Sequence, residues 1–164
     1  MLNNFDRLLL LRGVSIFREL RDDFLIRLSA VMEERAYPSK GGIFKQGDEG
    51  QSLYIVAAGQ VRVHIGRQEL ARLDRGDFFG EMSLFDTEPR SASVTAINTC
   101  TCLELTQSQL YEAINETPEI ALKLIGILSG RIRELNLENN QLRSQLGELP
   151  TAFPATPKKT SGRR

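Results

Sequence analysis

The sequence predicts an α+β protein: an antiparallel β-roll or jelly-roll barrel with flanking N-terminal helices and a long C-terminal helix. Three observations carry this. Short strand patterns punctuated by glycine fill residues 34–105, helical patterns flank them, and a proline-free stretch follows Pro118. With 164 residues the chain has room for one domain of ordinary size plus an extra element. Hydrophobic residues at 41% and charged residues at 26% describe a soluble globular protein.

Residues 1–33 form the N-terminal helical part, with 5–33 reading as helix. In "RDDFLIRLSAVMEE" the side chains of Phe24, Leu25, Leu28 and Val31 share a face, and Asp22 and Asp23 occupy the first turn, where the helix dipole favours acids. From Glu34 to Glu104 the pattern changes to strands. Gly47 and Gly50 bracket Asp-Glu, Gly59 follows "SLYIVAA", Gly66 separates "VRVHI" from "ELARL", and "DRGD" carries Gly76. Val61, Val63 and Ile65 alternate with Arg62 and His64, a half-buried strand that points His64 to solvent. Many short antiparallel strands at this spacing imply a small barrel or jelly roll.

Residues 106–149 return to helix. Thr106 is placed to cap a helix through Tyr111 to Asn115, and Thr117 before Pro118 has the form of an N-cap followed by proline at the first helical position. Without proline until Pro150, the second helix would run for about 31 residues, roughly 46 Å. A small barrel cannot cover it. With Ile125 at heptad position a, Ile132, Asn139 and Leu146 follow at a, and Leu128, Leu135, Leu142 and Leu149 at d. That pattern favours a parallel two-stranded homodimer through Ile125, Leu128, Ile132, Leu135, Asn139 and Leu142, with Glu138 at g facing Arg143 at e of the partner. Gly126 and Gly130 lie away from this seam, for close packing on the barrel or as a hinge. Residues 150–164 read as a disordered basic tail.

Several function classes are excluded. No apolar run approaches a membrane span, and "MLNNFDRLLLLRGVS" has no small-residue cleavage site for a signal peptide. Cys100 and Cys102, one residue apart, suit neither a mutual disulfide nor a metal cluster, and fit a reducing cytoplasm. A single histidine rules out a cupin-type metal enzyme, and no nucleophile–base pair emerges, so we expect neither an enzyme nor a cofactor. The net charge is zero, but Lys158, Lys159, Arg163 and Arg164 are all in the tail; without them 17 bases face 21 acids, a balance of −4. A surface that binds DNA is normally basic.

The chemistry concentrates in "FGEMSLFDTEPRSASVTA", residues 79–96. Gly80 lets backbone approach a ligand closely. Residues 81–85 can form one helical turn whose free N–H groups face an anion. Arg90 offers a permanently charged planar fork for two phosphate oxygens, and Glu81, when ionised, only accepts hydrogen bonds, as from a sugar hydroxyl. One fork and one acceptor describe a cyclic monophosphate better than a triphosphate. An ordinary Glu81–Arg90 ion pair is the alternative.

Phe79-Gly80-Glu81, the Gly-to-Arg spacing, Pro89-Arg90-Ser91-Ala92 and Val94, with "GDEGQSLYIVAAGQVRVH" and "DRGDFFGE" outside them, resemble the cyclic nucleotide-binding domain family. This family includes the catabolite activator protein and the regulatory subunits of cyclic-AMP-dependent kinase. The resemblance covers roughly residues 14–136. It implies a phosphate-binding cassette with ligand contacts at Gly80, Glu81, Met82, Ser83, Arg90, Ser91 and Ala92, the carboxylate taking the ribose 2′-hydroxyl and the arginine the phosphate. It also implies Val63 and Leu70 beside the base, where plain core is equally open, and Arg131, Leu135 and Asn136 over the base. Ser91 leans the choice toward cyclic AMP rather than cyclic GMP. The family's transcription regulators carry a helix-turn-helix domain after the long helix, for which the tail from Pro150 is too short, so sequence-specific DNA binding is not expected. The expectation is a cytoplasmic homodimeric cyclic nucleotide sensor acting on an unidentified downstream protein. A non-binding dimerisation module and a DNA-associated regulator using its basic tail stand as rivals.

Overall fold

Glycine-marked turns cut residues 33–106 into eight strands among the described residues, which in this computed structural model are 2–15, 17–86 and 88–146. They are β1 (Glu33–Tyr37), β2 (Gly42–Phe44), β3 (Ser52–Ala58), β4 (Val61–Ile65), β5 (Gln68–Leu73), β6 (Phe78–Phe79), β7 (Ser93–Ala96) and β8 (Cys100–Thr106). One antiparallel sheet has the order β1-β8-β3-β6 and the other β2-β7-β4-β5. The architecture is a double-sheet jelly roll; no pairing closes the two sheets into a barrel among these residues.

Both sheets contribute to one core. Tyr54, Val56, Phe79, Cys100 and Cys102 from the first sheet meet Val61, Val94 and Ala96 from the second. The first sheet is buried on its other face too, where Leu53, Ile55, Leu103 and Leu105 have no exposed surface. Helices cover that face, α1 (Asn4–Gly13) against β3 and α3 (Gln107–Glu116) against β8. Double burial explains why "SLYIVAA" reads as a continuous apolar run while β4 alternates. The thiols of Cys100 and Cys102 are both free and lie 3.6 Å apart.

The N-terminal helices expected within residues 1–33 are two, with a non-helical segment interrupting the helical reading of 5–33. Asn3 caps α1 by accepting from the Asp6 amide at 2.8 Å, and a second helix, α2, spans Asp22–Val31. Between them Val14 and Phe17 turn into the core with no exposed surface, and Val14's carbonyl accepts from Phe17 and Arg18. Val14 itself takes extended geometry, φ −73° and ψ 118°, and its amide donating to the Leu11 carbonyl closes α1. In α2, Phe24, Leu25 and Leu28 are buried as expected; Val31 is exposed, and its carbonyl accepts from Gln109. His64 also differs from expectation. It is half-buried, with Nδ1 2.9 Å from the Gly66 carbonyl and Nε2 2.9 Å from the Thr95 hydroxyl, because β7 lies beside β4 and brings a partner to its outer face.

Thr106 caps α3 in a reciprocal arrangement with Gln109. The last helix, α4, runs Glu119–Gln145, 27 residues, or about 40 Å. Thr117 serves both helices: its amide donates to Ala113 and closes α3, its carbonyl accepts from Ile120 in the first turn of α4, and its hydroxyl accepts from Arg27 at 3.0 Å. The chain divides into two compact units, one reaching Leu124 and one beginning at Ile125. In the second unit Ile125, Ile132, Leu135, Leu142 and Leu146 are each more than half exposed and Leu128 is half-buried. Arg143 Nε donates to Asn139 of its own helix at 3.0 Å. Within the second unit a Cβ at Gly126 or Gly130 would meet no neighbouring atom. Leu149 and the tail from Pro150 lie outside the described residues.

Candidate ligand-binding site

The site begins where β6 stops. Gly80 follows Phe79 with φ 77° and ψ 15°, the left-handed region where a side chain is strained. A Cβ there would also lie 2.5 Å from Arg90 Nη1 and 2.9 Å from the Ser52 carbonyl. Both constraints require glycine. The chain then makes a 3-10 turn over Glu81–Leu84, one residue shorter than the predicted 81–85. The following loop returns to β7, so β6 and β7 set the two ends of the cassette.

Arg90 is the centre of the arrangement, with 6% of its surface exposed. Its backbone is fixed by the turn before β3: its amide donates to Asp48 and its carbonyl accepts from Gly47, each at 2.9 Å. Its Nη1 donates to the carbonyls of Ser52 (2.9 Å) and Gly80 (3.3 Å) and to the Ser83 hydroxyl (3.1 Å). The guanidinium lies over the Phe44 ring at 4.1 Å and near Tyr54 at 5.8 Å. Tyr54 in turn stacks on Phe79, with centroids 5.3 Å apart and planes at 15°. Among the described residues Nε is buried without a hydrogen-bond partner, and no carboxylate pairs with the guanidinium. Burial lowers the Arg90 pKa, while Tyr54, Glu104 and Asp48 act the other way. An arginine starts high enough to stay charged regardless. A cation is thus held in place by neutral groups, with its charge uncompensated at close range.

The aromatic floor has its own support. The Tyr54 hydroxyl donates to Glu104 at 2.9 Å, and Arg35 donates to the same carboxylate at 2.9 Å. Burial alone would raise the Glu104 pKa, but hydrogen bonds from Arg35, Ser52 and Tyr54 outweigh it and hold the carboxyl below its ordinary range. Burial, then the bond to Glu104, pushes the Tyr54 phenol up to about 12, so it remains a donor.

In front of Arg90 is a cavity of about 280 Å³, near the lower end of the range for small-molecule sites, roughly 300–1,000 Å³. Val63, Gly80, Glu81, Met82, Ser83, Arg90, Ser91 and Ala92 all line it. Glu81 and Arg90 form no ion pair among the described residues, so the ordinary-pair alternative does not hold. Val63 both lines the cavity and packs on the core, the combined role left open above. Leu70 does not line the cavity: it sits at the register shift in the β4–β5 pairing and is 50% exposed, while Leu73 of the same strand faces the cavity. Arg131 and Leu135 are exposed and Asn136 half-buried on α4, in the second unit; the cavity lining lies wholly in the first. No group of three or more His, Cys, Asp or Glu that could hold a metal occurs among the described residues.

Sequence reasoning missed Gly50, Phe44 and Tyr54. A Cβ at Gly50 would overlap the Arg90 guanidinium from the side opposite Gly80's approach to Nη1. The signal was present, since a glycine closing "GDEG" one residue after Glu49 marks either a turn or a close approach.

The sequence profile of the cyclic nucleotide-binding domain matches residues 34–117, half of the chain and the whole of this site. The chain belongs to the cyclic nucleotide-binding domain family. Among similar cyclic nucleotide-binding proteins is the cyclic AMP receptor protein of Thermus thermophilus, 39% identical over 133 residues, or 78% of this chain and 62% of that protein. The crystal structure of the N-terminal domain of a Streptomyces coelicolor transcriptional regulator is similar with a TM-score of 0.74 and 34% identity, covering 78% of this chain and 92% of that one. The regulatory domain of Toxoplasma gondii PKA, crystallised with cAMP, has a TM-score of 0.62 and 27% identity over 67% of this chain and 44% of that one. The chain spans about three fifths of the length of the curated receptor proteins it matches first. No helix among the described residues is long and apolar enough to cross a membrane.

Proposed function

We propose that this cyclic nucleotide-binding domain is a sensor of cyclic AMP that passes its ligand state on through a homodimer formed by α4. The observation that carries the reading is Arg90: a guanidinium buried at the floor of a cavity, fixed on neutral groups and lacking a carboxylate partner. A buried cation in that condition calls for an anion. Glu81 lines the same cavity and supplies a hydrogen-bond acceptor for a ribose hydroxyl. Cyclic AMP rather than cyclic GMP is supported by serine at position 91 and by similarity to a protein named as a cyclic AMP receptor and to a domain crystallised with cAMP.

The dimer is supported by the exposed Ile125, Ile132, Leu135 and Leu142, which share one heptad seam with Leu128 and Asn139. The free thiols of Cys100 and Cys102 fit a reducing compartment such as the cytoplasm. The domain acts as a binding module and not as an enzyme, and its output is affinity for a downstream protein. The test is thermal denaturation of nucleotide-free protein. Cyclic AMP at 100 times its dissociation constant should add about 2.7 kcal/mol of stability. No shift at millimolar ligand removes the sensor reading.

A further inference from the structure

We infer that Asp86 and Glu88 are specificity-determining residues of this site, a charge filter that admits a singly charged phosphodiester and rejects a doubly charged phosphate monoester. The inference rests on the cyclic nucleotide reading above and extends it to what the site excludes. Four charged side chains line the cavity: Glu81, Asp86, Glu88 and Arg90. Three acids and one base leave it net negative, although its ligand is an anion. Arg90 explains how an anion still binds, because it is almost wholly buried, its Nε has no hydrogen-bond partner, and no carboxylate among the described residues pairs with it.

Asp86 and Glu88 are available to act at a distance. Neither enters an ion pair among the described residues, Asp86 is half-buried and Glu88 exposed. The Asp86 amide donates to Met82 at 3.1 Å and the Glu88 amide to Asp86 Oδ1 at 3.3 Å, which ties both residues to the turn whose Ser83 hydroxyl accepts from Arg90. A phosphodiester carries one negative charge, which Arg90 balances. A phosphate monoester has a second ionisation near pH 6 and carries about −1.5 to −2 at neutral pH. Its extra charge has no cation in the cavity and faces two carboxylates. Ring shape aside, charge alone therefore separates a cyclic nucleotide from its hydrolysis product.

The test uses three ligands on the full chain: cyclic AMP, adenosine 5′-monophosphate, and the 5′-monophosphate methyl ester, which is open like the monoester and singly charged like the cycle. Calorimetric titration of wild type should rank the methyl ester above the 5′-monophosphate. In Asp86→Asn/Glu88→Gln the 5′-monophosphate should gain about five-fold in affinity, the size expected of two solvated rim charges, and cyclic AMP, with about half the charge, only about two-fold. That gain should disappear in about 0.5 M salt, where screening removes the repulsion. Persistence of the gain at high salt would mean altered shape and overturn the filter. So would an unchanged ratio of the two open ligands in the variant, with cyclic AMP still binding; the sensor reading would then survive alone. Failure of wild type to bind cyclic AMP at all overturns both.

Discussion

Arg90 lines the proposed ligand site and at the same time satisfies polar groups of the fold. The sequence presents it as a fork facing ligand, which implies that Arg90→Ala leaves the fold intact. The structure changes that expectation, because Nη1 satisfies the carbonyls of Ser52 and Gly80 and the Ser83 hydroxyl. Arg90→Ala should lower cyclic AMP affinity at least about a hundredfold, as truncation of a buried charged partner does, and also cost about 1–3 kcal/mol of stability for the groups it strands. Titration and chemical denaturation of the same variant measure both. Glu81→Ala, at the rim, should weaken binding and narrow the preference for cyclic AMP over its 2′-deoxy analogue, read by competition. The residues that carry charge were legible in sequence because their chemistry is unusual for a sheet. Phe44, Tyr54 and Gly50 were not, because an aromatic on a strand and a glycine in a turn have commoner explanations, and only the fold brings them around one guanidinium. Glu104 belongs with these. Its folded pKa is held below the ordinary value of 4.5, so the stability it adds is present above that value and is lost as pH falls through the folded one. Denaturation curves from pH 6 to 3 should therefore fall less steeply for Glu104→Gln than for wild type.

At the scale of elements, strands announced themselves through glycine turns and alternation, and helices through caps and periodicity. Boundaries were least legible where tertiary contacts decide them: Val14 turns extended after Gly13 and is wholly buried with Phe17 between α1 and α2, and Thr117 serves α3 and Arg27 as well as the first turn of α4. Leu70 and Leu73 show the same limit within β5, since a register shift beside Val63 decides which leucine meets the cavity. For α4, periodicity specifies a seam and the structure leaves its apolar side chains exposed. Asn139 should select a parallel, in-register pair by bonding its twin, at some expense in stability. The bond it now receives from Arg143 would have to be shared or exchanged on pairing. Asn139→Ile should raise the melting temperature and admit higher oligomers, Leu142→Asp should weaken the dimer, and Leu135→Asp with Leu142→Asp should give monomers. Sedimentation at tens of micromolar (about the range in which a weak dimer persists) distinguishes these, and a monomeric wild type there would refute the coil.

For the whole molecule, the β-roll supplies a cavity lined by a buried cation and α4 supplies a long apolar face, so on the proposed reading a ligand with different affinity for two dimer arrangements would shift their populations. That mechanism stands only if the cavity binds a cyclic nucleotide, since otherwise α4 is the dimerisation element of a module with nothing to report. The direct measurement is calorimetric titration of verified nucleotide-free protein with cyclic AMP, cyclic GMP and cyclic dinucleotides. Saturable binding of cyclic AMP, tighter than cyclic GMP and lost in Arg90→Ala, is the predicted result. Heat of dilution alone with every member of the panel, from a protein that is folded, would contradict it.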